Sequence, residues 1–384
     1  MKDIIPKRFY SLDALRGLAA FAVVIYHWPQ FFFSGNNLRS SFRGESSFIG
    51  TYDVEKLPFF KSLFVFYDSG WLAVDLFFGL SGFIFYWLYS SNIKNSEITT
   101  WEFLVARFSR LYPLHMLTLV WVVSIQLASQ HIPNTRFYFY QHNNIHNFIL
   151  NLFLTSSWGF GDWHSFNTPI WSVSVEVALY IIFFVCCRLL SIHNFILFLF
   201  STVGLFIIYP INHQLGHGVF SFFLGGCTYR VYVLLVSTSR TRKALPYLSS
   251  ATLSMWFIAI FLVYHQWNPL DSAPFFWRYT FLPAVFMFQM TILTLAVAET
   301  RRGTMGKRIS YLGDISYSVY LLHFPIQLST LTTAIYLRVS REAFYNYYVF
   351  FCFFVLLLIA SIISHYYFER PAQNYIRKTW VKND

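Results

Sequence analysis

An all-α, polytopic membrane helix bundle is the fold class this sequence predicts, and three observations predict it. Of its 384 residues 56% are hydrophobic and only 12% charged. Mean hydropathy is +0.47. Apolar runs of about 20 residues recur along the chain, the length a helix needs to cross the hydrocarbon core of a bilayer. About ten transmembrane helices and one short re-entrant segment are expected, with both termini cytoplasmic, in a single domain over residues 1–384. Membrane lipid is therefore the first partner.

The N-terminus, MKDIIPKRFY, is basic like a signal peptide, but a full span follows it with no small-residue cleavage site. That span, Leu12 to Phe33, is expected to stay in place as an anchor. It carries Asp13, Arg16 and His27, and ionisable groups at membrane depth mark function by default. Arg16 and His27 are eleven residues apart, which puts them about 20° apart around a helix and about 16 Å apart along it. A polar stretch from Ser34 to Gly70 balances its charges and suits the outer side.

The next spans run from Trp71 to Tyr89 and from Arg107-Phe-Ser-Arg110-Leu-Tyr-Pro113 to Ala128, with Pro113 expected in a first helical turn. Asn147 to Trp158 is apolar but short, with Gly159, Gly161 and Pro169 close behind, and reads as re-entrant. Seven spans follow: Ile170–Leu190, Phe195–Tyr209, Val219–Val236, Thr252–Trp267, Tyr279–Ala298, Ile315–Tyr336 and Tyr347–Phe368. Lys plus Arg outnumber Asp plus Glu 28 to 17. If the short segment does not cross, the basic loops near Arg242, Arg302 and Arg308 and the tail at Arg377 all fall on the N-terminal side, as the positive-inside tendency requires. Outside those loops no basic stripe interleaves with aromatics, so nucleic acid is not an expected partner. Cys186, Cys187, Cys227 and Cys352 sit in apolar runs without metal-ligand spacing. They read as small buried hydrophobes, and no metal is expected.

This topology assigns each polar residue a depth. His27, Asp75 and Glu176 fall at similar depth in the outer third, where a carboxylate beside an imidazole would fix its tautomer and raise its basicity. Taken singly, Asp75 reads equally well as a snorkelling carboxylate and His27 as a satisfied core histidine. Asp13, Arg16, Arg107, Arg110, His115, Arg308, Glu369 and Arg370 collect on the cytoplasmic side. Arg107 and Arg110 share a helix face and with Arg16 form a clamp suited to phosphates, with topology anchoring as the plainer account. Ser316, Tyr320 and His323 lie on one face of the ninth span, as a polar lining or as hydrogen-bonding glue between helices. No Walker loop, dinucleotide fingerprint, GxSxG elbow or HExxH helix is present.

Laid out in this order, the residues resemble the acyltransferase 3 family of integral membrane O-acyltransferases. Arg16 and His27 are similar to its Arg/Lys-x10-His signature. VDLFFGLSGF, with Asp75, Ser81 and Gly82, resembles its second-span pattern, and Arg107-x-x-Arg110-x-x-Pro113 the pair before its third. WSVSVEVALY, with Trp171 and Glu176, ISYSVYLLHFP and FERP resemble its later signatures. Ala73 stands where the family often has glycine. The chain ends soon after FERP, so the fused extracytoplasmic domain of some relatives is expected to be absent.

The resemblance implies acetyl-CoA as acyl donor and a hydroxyl of a surface polysaccharide or glycolipid sugar as acceptor, in a bacterial inner membrane. It implies catalytic roles for His27, Asp75 and Glu176, donor binding by Arg16, Arg107, Arg110 and His323, and sugar binding by Trp171 and Tyr320. His27 acts as general base or carries the acyl group itself, and the residues do not separate the two. A transporter is the rival reading, weakened by the lack of an internal repeat or paired broken helices. A structural partner in a polysaccharide assembly complex is a third. Assembly into a homo-oligomer stays open.

Overall fold

A computed structural model describes residues 5–32, 52–129, 142–161, 165–190, 194–265 and 281–381. It is helical throughout, with no strand among the described residues. The outer polar stretch around Arg39, Arg43 and Glu45, and the expected span ends at Trp267 and Tyr279, lie outside them.

The helices used below are α1 (Tyr10–His27), α2 (Phe60–Ser69), α3 (Ala73–Leu88), α4 (Thr100–Ser129), α5 (Ile145–Leu152), α6 (Ile170–Leu189), α7 (Asn194–Val203), α8 (His213–Ser237), α9 (Thr241–Tyr264), α10 (Phe281–Arg302), α11 (Ser316–Tyr336), α12 (Tyr347–Ile363) and α13 (Arg370–Trp380). Among the described residues seven helices are long and apolar enough to cross a membrane. The apolar stretch at 147–158 holds only the eight-residue α5.

Two differences from the sequence reading matter. The second span is preceded by α2, inside the stretch that reads as an outer polar loop, so the apolar helical run starts at Phe60 rather than Trp71. Likewise α4 starts at Thr100, and Pro113 lies inside it rather than in its first turn. A capping box starts α4 early: the Glu102 carboxylate accepts from the Thr99 backbone N–H at 2.7 Å, and the Thr99 hydroxyl accepts from the Glu102 N–H at 3.2 Å. Pro113 has no N–H for the Ser109 carbonyl. The chain around it is tied sideways instead, by the Tyr317 hydroxyl donating to the Leu111 carbonyl at 2.6 Å and by Arg377 donating to the Ser109 hydroxyl at 3.2 Å.

The chain divides into two compact units. The first comprises residues 1–23, 68–98 and 178–316. Its α3 and α8 meet backbone to backbone: a Cβ on Gly82 would stand 1.9 Å from the Phe222 carbonyl oxygen, and one on Gly225 2.1 Å from that of Gly79. Only glycine permits that approach, and it is the use to which FFGLSGF is put. Glu299 of α10, fully buried, caps α1: its carboxylate accepts from the Tyr10 and Ser11 backbone N–H groups at 2.8 and 2.9 Å and from the Ser11 hydroxyl at 2.6 Å. Those N–H groups have no partner within their own helix.

The second unit comprises residues 24–67, 99–177 and 317–384. Its α12 passes through a π-helical turn, Ser364–Glu369, into α13. There Glu369 accepts hydrogen bonds from the Ser318 and Ser364 hydroxyls. π-Turns inside helices concentrate at functional positions.

Candidate active site

In the second unit the site is built around the end of α1. Helix α1 stops at His27, where a 3-10 turn, Trp28–Phe32, takes over. Pro29 explains the stop, since it lacks the N–H that would continue the ladder. The freed carbonyls are answered from elsewhere in the unit: the Gln327 amide donates to the His27 carbonyl at 2.8 Å, and Arg341 donates to the Phe32 carbonyl at 2.8 Å. Trp28, 1% exposed, donates its indole N–H to the Phe344 carbonyl at 3.2 Å. His27 is thus held through its own carbonyl and through the turn that follows it.

Opposite its ring lies that of His323, with centroids 5.0 Å apart and planes inclined by 35°. His323 is 1% exposed. Its Nδ1 donates to the Tyr320 carbonyl at 2.6 Å, and a carbonyl can only accept, so the proton of the neutral ring is on Nδ1. Nε2 then carries the lone pair, and it is buried without a hydrogen-bond partner. Pro325, two residues on, interrupts the helix ladder just beyond this point.

One turn earlier on α11, Tyr320 is buried with its hydroxyl 2.8 Å from that of Ser172 and 3.1 Å from the Pro169 carbonyl it donates to. Trp171 adjoins Ser172 at the start of α6, half-buried, and Glu176 lies within electrostatic reach of Tyr320. The structure therefore gathers His27 with His323, and Tyr320 with Ser172 and Glu176. Arg107 and Arg110 share a face of α4. The Arg107 guanidinium lies 5.8 Å from the Phe103 ring centre, and Arg110 is exposed within electrostatic reach of Glu369. Among the described residues no group of three or more His, Cys, Asp or Glu side chains is placed to hold a metal.

Asp75 and Arg16 belong to the first unit. Arg16 is half-buried on α1. Asp75 lies in the first turn of α3, 4% exposed, and its Oδ1 accepts from His217 Nδ1 at 3.2 Å and from the Ser221 hydroxyl at 3.0 Å. The His217 ring is walled by Phe281, Tyr209 and Trp71, with centroids 4.0, 5.0 and 6.3 Å away. Sequence reasoning did not single out His217. The expected span begins at Val219, which left His217 in a loop between Gly216 and Gly218. Asn212 is the signal that could have found it: as N-cap it accepts from the Leu215 N–H at 3.0 Å and starts α8 one turn before His217.

Residues 9–370 match a family model described as an acyltransferase domain. The chain is 38% identical over 114 residues to "Protein 2 in picA locus" of Rhizobium radiobacter, covering 30% of this chain and 44% of that one. It is 34% identical over 124 residues to acyltransferase MdmB of Streptomyces mycarofaciens, covering 30% and 27%. It is also 24% identical over 363 residues to the peptidoglycan O-acetyltransferase OatA of Listeria monocytogenes, covering 85% and 50%. The matches thus cover half or less of each of these relatives. No solved structure matches the chain. Because the family match runs from Phe9, just before α1, to Arg370, at the start of α13, and takes in both units, the chain belongs to the acyltransferase 3 family.

Proposed function

We propose that the protein is a membrane O-acyltransferase that moves an acyl group, in the first instance acetyl, from cytoplasmic acyl-CoA to a hydroxyl of a surface polysaccharide or glycolipid sugar. The observation that carries this reading is the His27–His323 pair: two imidazoles in ring contact inside an apolar helix bundle, one with a buried lone pair. Such a pair supplies a nucleophile and a proton acceptor, which acyl transfer to a hydroxyl requires. Family membership gives the reaction type. OatA, named as an O-acetyltransferase of peptidoglycan, supports a glycan hydroxyl as the acceptor class.

In this reading Arg107 and Arg110 bind the donor's phosphates, with Glu369 in electrostatic reach of Arg110. Trp171 offers a ring face to a sugar, and Tyr320 with Ser172 offers hydroxyls to it. Asp75 enters as the partner of His217. Ten spans with cytoplasmic termini in a bacterial inner membrane put the arginines on the donor's side. A reporter fused after Lys243 should then read as cytoplasmic.

The test is transfer of label from acetyl-CoA to glycan by membranes carrying the wild-type chain or Arg110→Ala. The reading expects wild-type transfer and an Arg110→Ala chain whose loss is recovered by more donor. Glycan or solute movement without any acyl transfer would replace it with the transporter reading.

A further inference from the structure

We propose that the two imidazoles divide the chemistry: His27 carries the acyl group as an N-acyl imidazole, and His323 is the base that takes up and returns the proton in each half of the reaction. The proposal rests on the acyltransferase reading above and deepens it, since the sequence leaves His27 open as either base or carrier.

Among the described residues His323 Nε2 is one of the buried polar atoms without a partner, a costly state. His323 could relieve its Nε2 by turning its ring. It is prevented, because Nδ1 is committed to the Tyr320 carbonyl of its own helix turn. That bond locks both the tautomer and the ring direction, so a lone pair is held in place inside the protein. The ring facing it is His27, with centroids 5.0 Å apart, a separation that one bridging hydroxyl can span. His27 is itself fixed through its carbonyl by Gln327, which is buried and belongs to the same helix as His323, one turn on. One helix, α11, therefore carries His323 and holds the backbone of His27.

Tyr320 and His323 could also have been read as hydrogen-bonding glue between helices. The Tyr320 hydroxyl fits that account, since it is satisfied by Ser172 and Pro169. His323 does not, since its Nδ1 bonds its own helix and, among the described residues, its Nε2 has no hydrogen-bond partner.

The steps balance. In the first, a ring nitrogen of His27 attacks the thioester carbonyl, the N–C bond forms and the C–S bond breaks. The proton on the other His27 nitrogen passes to His323 Nε2, and the departing thiolate takes it up to leave as thiol. In the second, the acceptor hydroxyl attacks the acyl-imidazole, the O–C bond forms and the C–N bond breaks. The hydroxyl proton goes to His323 Nε2 and from there back to His27, which restores both rings.

The experiment is a rapid-quench single turnover of the purified full chain with labelled acetyl-CoA, using water and methyl glucoside as acceptors and mass spectrometry to locate label on the protein. Wild type, His27→Ala, His323→Ala and His323→Gln are compared after heat-stability and size-exclusion checks of folding. The proposal expects label on His27 that is transient in wild type and absent from His27→Ala. It expects both the appearance of label on His27 and its release to be slowed in His323→Ala, each about 10²–10⁴-fold, the usual reach of a positioned acid–base group. Added imidazole should speed release in His323→Ala, and Gln, which can accept a hydrogen bond but not a proton, should not restore it. Turnover in wild type without label on His27, wild-type release in His323→Ala, or full restoration by Gln would each overturn the division. A folded wild-type chain that neither transfers nor hydrolyses acetyl from acetyl-CoA would overturn the acyltransferase reading itself, and this proposal with it.

Discussion

Two histidines in this molecule are held in opposite ways. His217, in the first unit, has its Nδ1 against a buried carboxylate, Asp75, which Ser221 also serves. His323, in the second, has its Nδ1 against a backbone carbonyl and its other nitrogen against nothing that bonds it. The first arrangement satisfies a costly buried carboxylate and needs no ligand to complete it. The second is complete only when something brings a proton. On the division of roles proposed above, the imidazole lacking a carboxylate carries the chemistry, and the Asp75–His217 pair carries structure.

Breaking the pair in the second unit should have the largest effect. His27→Ala removes the attacking nitrogen, and acyl transfer at saturating acetyl-CoA should fall by about 10³-fold or more, in line with losses of catalytic nucleophiles. Next is His323→Ala, with an expected loss of about 10²–10⁴-fold in transfer rate and little change in the donor concentration giving half-maximal rate. Gln327→Leu sharpens the comparison, because it leaves both rings and removes only the bond to the His27 carbonyl. A misplacement on the scale of an ångström should slow transfer about ten- to a hundredfold, seen in the same assay. The first unit should respond in stability rather than rate. His217→Ala leaves Asp75 with Ser221 alone, which should cost about 1–3 kcal/mol in thermal or denaturant unfolding while transfer stays within about tenfold of wild type.

The sequence carried more of the architecture than of the site. Composition and apolar run length pointed to a helical membrane bundle, because a bilayer leaves backbone polar groups few other solutions. The eleven-residue spacing of Arg16 and His27 marked α1 as the central element, and Pro29 follows immediately where that helix stops. Boundaries were less legible where a tertiary partner sets them. Lys61 and Asp68 break the apolar pattern of α2, so it read as loop. Pro113 looked like a helix start because its neighbours' bonds to Tyr317 and Arg377 come from some 200 or more residues away.

The same limit applied to the site. Asp75 stood out from its surroundings as an acidic residue in an apolar run, but its partner His217 comes from a helix 142 positions on. His323 was picked out for its face on α11, yet what sets it apart from His115, which also has one bonded and one unpartnered ring nitrogen, is the imidazole it faces, and that depends on the fold. Glu299 gave no signal at all, since only the folded first unit brings it to the N–H groups at the start of α1.

The reacting centre we propose is the imidazole pair of the second unit and not the aspartate-held histidine of the first. Its most direct test is the initial rate of acetyl transfer from saturating acetyl-CoA by His27→Ala and His217→Ala chains, purified side by side and matched for folded protein. The account predicts a loss of about 10³-fold or more in His27→Ala and a His217→Ala rate within about tenfold of wild type. A His217→Ala chain that folds but loses transfer, beside a His27→Ala chain that keeps it, would contradict the account and move the chemistry to Asp75 and His217.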